Sequence, residues 1–215
     1  MAGNTIPRDG WVQVWDPFVR IGHWILVVTF FTCYLTEGEP EWLHDWSGYL
    51  LTVVVLLRIV WGFIGPRYAR FSDFVRPPGE ALRYFWDELR GRAPRHIGHS
   101  PSGGAMILAL LLALLISAGS GMVVLAMEEG EGPLAGWLVT PLPGGEEEDS
   151  PELETAEEVH EIAANVTLIL VILHIAGVLL GSWRNRENLV GAMITGRKRI
   201  EAAPDRPDQK SPPQR

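Results

Sequence analysis

Residues 157–184 read EEVHEIAANVTLILVILHIAGVLLGSWR, an apolar run that carries two histidines, His160 and His174, fourteen residues apart. At about 1.5 Å of rise per residue they lie roughly 21 Å apart along a helix axis. Fourteen steps of about 100° fall within about 40° of a whole number of turns, so the two rings leave nearly the same face. Residues 162–183 are 22 positions without a formal charge, enough to cross a hydrocarbon layer of about 30 Å. An imidazole in such a span is costly unless it is paired, which makes each histidine a functional candidate. A single histidine is equally well explained as a hydrogen-bonding contact to a neighbouring helix. Two in register at opposite ends of one span are not, because such a contact has no reason to prefer that spacing. They suggest two metal centres at two depths, each completed by another helix.

Working outward, the 215-residue chain is 47% hydrophobic, with the apolar residues gathered into blocks. Four are long enough to span a membrane: residues 17–36, 45–64, 104–127 and 159–183. The fold class expected is an all-α membrane protein, a four-transmembrane-helix bundle forming one domain over residues 1–200. Residues 201–215, rich in Pro and charge, are expected to be a disordered cytoplasmic tail. The first ten residues are polar and the first block has no small-residue cleavage site, so that block reads as a retained helix rather than a signal peptide. Cys33 is the single cysteine, which excludes an intramolecular disulfide and a cysteine-ligated cluster within the chain. It reads as a small packing residue.

The formal charge is −8, but the placement of charge is more informative than the sum. Of 18 Lys and Arg, 17 lie in the N-terminal segment, the stretch after the second span or the C-terminal tail, and the other is Arg58. The connections 37–44 and 128–158 have none. By the positive-inside bias both termini and the middle loop are cytoplasmic, and the acidic connections face outward. Nothing in this pattern asks for nucleic acid as a partner. In the middle loop, Leu82, Phe85, Trp86 and Leu89 follow helical spacing with arginines on other faces, as in a helix lying on a membrane surface. His96 and His99 in the same loop read as surface residues, and the stretch after Arg184 as a short surface helix. Helix three, without a histidine, reads as a packing wall. Ser150 or Thr155 with the acids of SPELETAEEVH predicts that helix four starts before the membrane.

The other two intramembrane histidines sort by depth: His44 at the outer level of His160, and His23 at the inner level of His174. Each pair joins helix four to one other helix. Zinc would usually want three or four ligands, with Cys or carboxylate among them, which these sites lack in the apolar region. An iron held axially by two imidazoles needs only two, because a porphyrin supplies the rest. Two b-type haems fit this count. Arg58 follows His44 by fourteen residues and so faces the same way at the inner level. A haem propionate would satisfy it, and so would snorkelling to the headgroups. One mismatch stands: His174 is nine residues from Trp183 while His23 is three from Arg20, so either helix one starts deep or helix four overhangs.

The segments WDPFVRIGHW, HDWSGYLLTVVVLLRIVWGFIGPRYARFSDF, IGHSPSGGAM and LHIAGVLLGSWRNRENLVGAMITGRKR, in this order over residues 11–200, resemble the bacterial cytochrome b561 and nickel-hydrogenase b-type cytochrome family. The resemblance implies a haem-b-binding bundle of the bacterial inner membrane that moves electrons between the quinone pool and a partner at the membrane surface. Carried over position by position, its haem-iron ligands match His23, His44, His160 and His174. The leading expectation is therefore an electron carrier with two haems b, exchanging electrons with quinone and with a periplasmic redox partner such as a c-type cytochrome. One alternative is the membrane anchor of a hydrogenase or another periplasmic dehydrogenase. Another is a quinol oxidoreductase acting on a small oxidant, and a non-redox transporter or scaffold would be colourless when purified. Whether the chain is an enzyme in its own right stays open. The two outward connections with their flanks carry fifteen acids, Glu37, Glu39, Glu41, Asp45 and eleven more in residues 128–158. These would attract a basic partner with a salt-dependent rate, unless they only keep a long loop solvated.

Overall fold

The computed structural model describes residues 10–36, 39–138 and 150–199. Four helices in it are long and apolar enough to cross a membrane: α1 (Pro17–Thr36), α2 (Glu41–Ile64), α5 (Pro101–Glu128) and α7 (Pro151–Asn185). Short elements stand between and after them: α3 (Phe71–Phe74), α4 (Pro78–Leu89), α6 (Ala135–Leu138) and α8 (Leu189–Thr195). Two three-residue strands, β1 (Trp11–Gln13) and β2 (Arg197–Arg199), complete the chain. Three spanning helices are longer than their apolar blocks. Helix α2 begins right after Pro40 rather than at residue 45, and α5 begins at Pro101 rather than 104. Helix α7 begins at Pro151, eight residues before the apolar block at 159. In α5 and α7 the added turns are capped: the Ser100 and Ser150 hydroxyls accept from the Gly103 and Leu153 amides at 3.1 and 3.2 Å, each followed by a proline suited to a first turn. The tail 201–215 lies outside the described residues.

Helices α1 with α2 and α5 with α7 are the two closely packed pairs, joined by contact of α2 with α5. Phe30, Leu51, Val55, Leu111 and Leu114 form the buried centre, and Leu168 and Val171 of α7 lean on it. Side chains such as Val28, Val53, Leu112, Ile169 and Leu173 are exposed on the opposite faces. In lipid that exposure costs little, so the bundle is held by interdigitation and not by hiding apolar surface from water. The span threonine hydroxyls are satisfied within their own helices: Thr167, fully buried, gives its proton to the Ala163 carbonyl at 2.8 Å. Trp42 and Trp46 are exposed at one end of the bundle and Trp183 at the other, the levels where indole rings settle in a bilayer.

At the end where the arginines gather, a small cap closes over the helices. Strands β1 and β2 pair antiparallel, Trp11 opposite Arg199 and Gln13 opposite Arg197. The Gly196 carbonyl accepts from the amides of Val14 and Trp15 at 2.9 and 3.1 Å. Gly196 turns at a φ of 82°, a conformation that favours glycine. Val14, Trp15 and Ala192 make a satellite core there. Arg20 donates to the Ile194 carbonyl, and Arg95 pairs with Glu187. Helix α4 lies alongside with Leu82, Phe85, Trp86 and Leu89 exposed, as a surface-lying helix requires.

Candidate functional site

Across the bundle, the His44 and His160 ring centroids are 6.2 Å apart, and those of His23 and His174 are 6.4 Å apart. A metal bridging two imidazole nitrogens at about 2.0–2.1 Å each, with each nitrogen about 1.1 Å from its ring centre, requires about 6.3 Å. Both pairs stand at that separation. All four rings are half-buried. Helix α7 is not among the close partners of α1 or α2. The backbones therefore stand off where the rings meet, which leaves room for a group between them.

At the acidic end the two rings are held from behind. The His44 Nδ1–H donates to the Cys33 carbonyl of α1 at 3.1 Å. The His160 Nδ1–H donates to the Ser117 carbonyl of α5 at 3.0 Å and lies 3.2 Å from the Ser120 hydroxyl. A carbonyl can only accept, so both rings carry a proton on Nδ1, which leaves Nε2 as the nitrogen turned away from these anchors and available to a metal. A cavity of about 110 Å³ lies against both rings, lined also by Gly48, Tyr49, Gly121 and Leu125. A side chain at Gly48 would meet nothing within 4 Å, whereas one at Gly121 would come within 2.8 Å of the His160 ring. Beside this level the Tyr34 hydroxyl donates to Asn165 at 2.9 Å, tying α1 to α7. Helix α5 is thus more than the packing wall expected from its composition, since its Ser117 and Ser120 orient a histidine. A backbone carbonyl has no sequence signature; the serines in an otherwise apolar run were the only available sign.

At the basic end His23 presents a buried Nδ1 without a partner among the described residues. Arg58 is half-buried at the same level, its guanidinium 5.6 Å from the Phe71 ring centre and its Nη1 shielded and unpaired. Unmet donors of this kind fit an anionic group such as a propionate. The mismatch in helix lengths resolves as overhang: α7 continues eleven residues past His174 to Asn185 and enters the cap, while α1 begins six residues before His23 at Pro17.

His99 departs from the surface position expected of it. Its ring lies 4.3 Å from that of Trp15 and 4.7 Å from that of Phe74, with Nδ1 shielded from solvent. Burial, aided by the nearby charges of Arg58 and Lys198, pushes its pKa down to about 3, so the ring is neutral. Aromatic partners from β1's end and α3 enclose it, and neither is adjacent in sequence. His96 is exposed, with Nδ1 3.1 Å from the Pro94 carbonyl. Among the described residues no group of three or more His, Cys, Asp and Glu could hold a bare metal ion. The four histidines form two facing imidazole pairs, and each pair could hold a group that needs two nitrogen ligands.

The family model described as prokaryotic cytochrome b561 matches residues 14–196. A probable Ni/Fe-hydrogenase B-type cytochrome subunit of Rhizobium leguminosarum bv. viciae is 27% identical over 87% of this chain and 88% of its own. Its counterpart from Rhodobacter capsulatus is 26% identical over 91% of this chain and 84% of its own. A probable Ni/Fe-hydrogenase 1 B-type cytochrome subunit of Escherichia coli K12 is 29% identical over 46% of this chain and 54% of its own. No solved structure matches.

Proposed function

The chain belongs to the prokaryotic cytochrome b561 family, and from that premise we propose that it is the membrane cytochrome of a nickel–iron hydrogenase or a related dehydrogenase. In this reading it anchors the enzyme and passes its electrons to the quinone pool. Membership makes it a multi-pass membrane b-type cytochrome, with haem b as its cofactor. The hydrogenase part of this reading draws on the Ni/Fe-hydrogenase cytochrome subunits that the chain resembles, and the observation that carries the cofactor part is the pair of ring separations, 6.2 and 6.4 Å, at two depths on one helix. They support two haems per chain, one between His44 and His160 and one between His23 and His174.

Haem, when bound, supplies a one-electron couple that the protein tunes by ligation, burial and charge. The Cys33 and Ser117 carbonyls would fix the tautomer and plane of the two acidic-end ligands. Arg58 would take a propionate at the basic end and favour the reduced state there. The acids around the other end favour the oxidised state, so on charge alone electrons run from the acidic to the basic end. That direction suits an electron source docked on the acidic face and quinone reduced deeper in.

Purification in mild detergent from the native host tests the assembly. Hydrogenase or dehydrogenase subunits carrying nickel or iron–sulfur clusters are expected to co-purify, and their substrate should reduce the cytochrome. The second reading, docking of a basic c-type cytochrome, draws support from the base-free acidic connection at residues 128–158. A cytochrome that arrives alone, and that exchanges electrons with a basic c-type cytochrome at a rate falling steeply with salt, would replace the first reading by the second.

We place the chain in the bacterial inner membrane with both termini in the cytoplasm, because 17 of 18 basic side chains fall on that side. A reporter active only in the periplasm, fused after Arg215, should stay silent. Its activity would reverse the assignment of the two ends.

A further inference from the structure

Three arginines from separate segments converge on one cavity of about 290 Å³ at the basic end of the bundle. Arg67 comes from the 3-10 turn Arg67–Ala69 after α2, Arg76 from the stretch after α3, and Arg95 from the loop before α5. The carboxylate among the lining residues is Asp73, and the His99 imidazole beside it is neutral. Among the side chains that line it, three guanidinium groups face one carboxylate, while Glu80 and Glu187 outside the lining pair with Arg76 and Arg95. The lining also includes Pro101 in the first turn of α5, a 28-residue helix whose positive dipole end adds to the field.

Each guanidinium has five N–H donors, only some of which are used within the protein. Arg67 gives its Nε–H to Asp73 at 3.2 Å. Arg76 gives one to the Val75 carbonyl and one to the Asp73 carbonyl, both at 3.1 Å. Arg95 serves Glu187 and the Arg199 carbonyl. Arg76 Nε also lies 3.9 Å from the Glu80 carboxylate; the remaining Nη donors have no hydrogen-bond partner among the described residues, and planar forks of this kind bind phosphate oxygens in pairs.

The position adds a second constraint. Helix α2 ends at Ile64 and α5 starts at Pro101, so the cavity sits where the apolar spans give way to the polar layer. The exposed apolar face of α4 is part of the same end of the molecule. We propose that this cavity binds a phosphate-bearing anion, the phosphate being gripped by Arg67, Arg76 and Arg95. Its chemistry is shared by an anionic phospholipid headgroup and by free phosphate.

The test uses the full-length, haem-loaded protein in neutral detergent, with phosphatidylglycerol, phosphatidylcholine and inorganic phosphate as separate probes and binding read by native mass spectrometry. The R67Q/R76Q variant is expected to weaken phosphatidylglycerol binding roughly 30-fold, from the gain of basic side chains toward anionic headgroups. Both residues lie outside the histidine pairs, and an unchanged haem content shows the variant to be folded. D73N removes the carboxylate that lines the cavity and pairs with Arg67, and should tighten the same binding. If phosphatidylglycerol binds and phosphate does not, the source is the lipid; if phosphate binds and loses the same factor in R67Q/R76Q, the source is solution. Absence of binding by both anions, or binding that R67Q/R76Q leaves unchanged, or equal retention of phosphatidylcholine that is indifferent to the variant, overturns the site.

Discussion

Replacement of His174 by Ala lowers the haem content from two per chain to one, and the haem that survives is the one at the acidic end. The expectation rests on separation and on independent support. His160 and His174 are fourteen residues apart on α7, roughly 21 Å along the axis, and effects at such distances add independently. The acidic-end rings are held by the Cys33 and Ser117 carbonyls, neither of which touches the basic end. His23 has no comparable anchor among the described residues and would be left as a single ligand facing a vacated position. Haem per polypeptide, with the reduced-minus-oxidised spectrum resolved into two components, reads the outcome. Loss of the acidic-end component instead, or of neither, would break the pairing of His174 with His23.

Substitution of Gly121 by Val produces the complementary loss without touching a ligand. A β-carbon at this position would stand 2.8 Å from Cε1 and 3.2 Å from Nδ1 of His160, inside normal contact distance. The α5 backbone there is fixed by its packing on α7, so the imidazole must yield and abandon its bond to the Ser117 carbonyl. The acidic-end haem is expected to be lost and the basic-end haem kept, giving one per chain. Gly119→Ala is the control on the same helix, since a β-carbon there meets nothing within 4 Å. Two haems retained in Gly121→Val would mean that His160 does not hold its ligand from this position.

The spans were legible because apolar length reports membrane thickness, and the limits of α1 at Pro17–Thr36 are those read from the chain. The ends of α5 and α7 were less so, because a helix extends as far as its caps allow, and Ser100 and Ser150 cap outside the apolar blocks. The grouping of the four histidines by depth followed from a spacing of fourteen on α7 and from charge-based topology, and the rings do meet in those pairs. Carbonyl anchoring of His44 and His160 was hidden, since the acceptors at Cys33 and Ser117 are backbone atoms that any residue has. The pairing of Trp11–Gln13 with Arg197–Arg199 joins the two ends of the described chain, and no local pattern announces so distant a contact. The same cap explains why His99, in a polar loop, is enclosed between Trp15 and Phe74.

The central claim is that each histidine pair holds one haem b, and the most direct measurement is haem and protein quantitation on the purified wild-type chain together with its oxidised-state magnetic spectrum. Two haems per chain, both six-coordinate and low-spin with nitrogen ligands on each side of the iron, are expected. One haem per chain, or a high-spin five-coordinate iron in the intact protein, would contradict it.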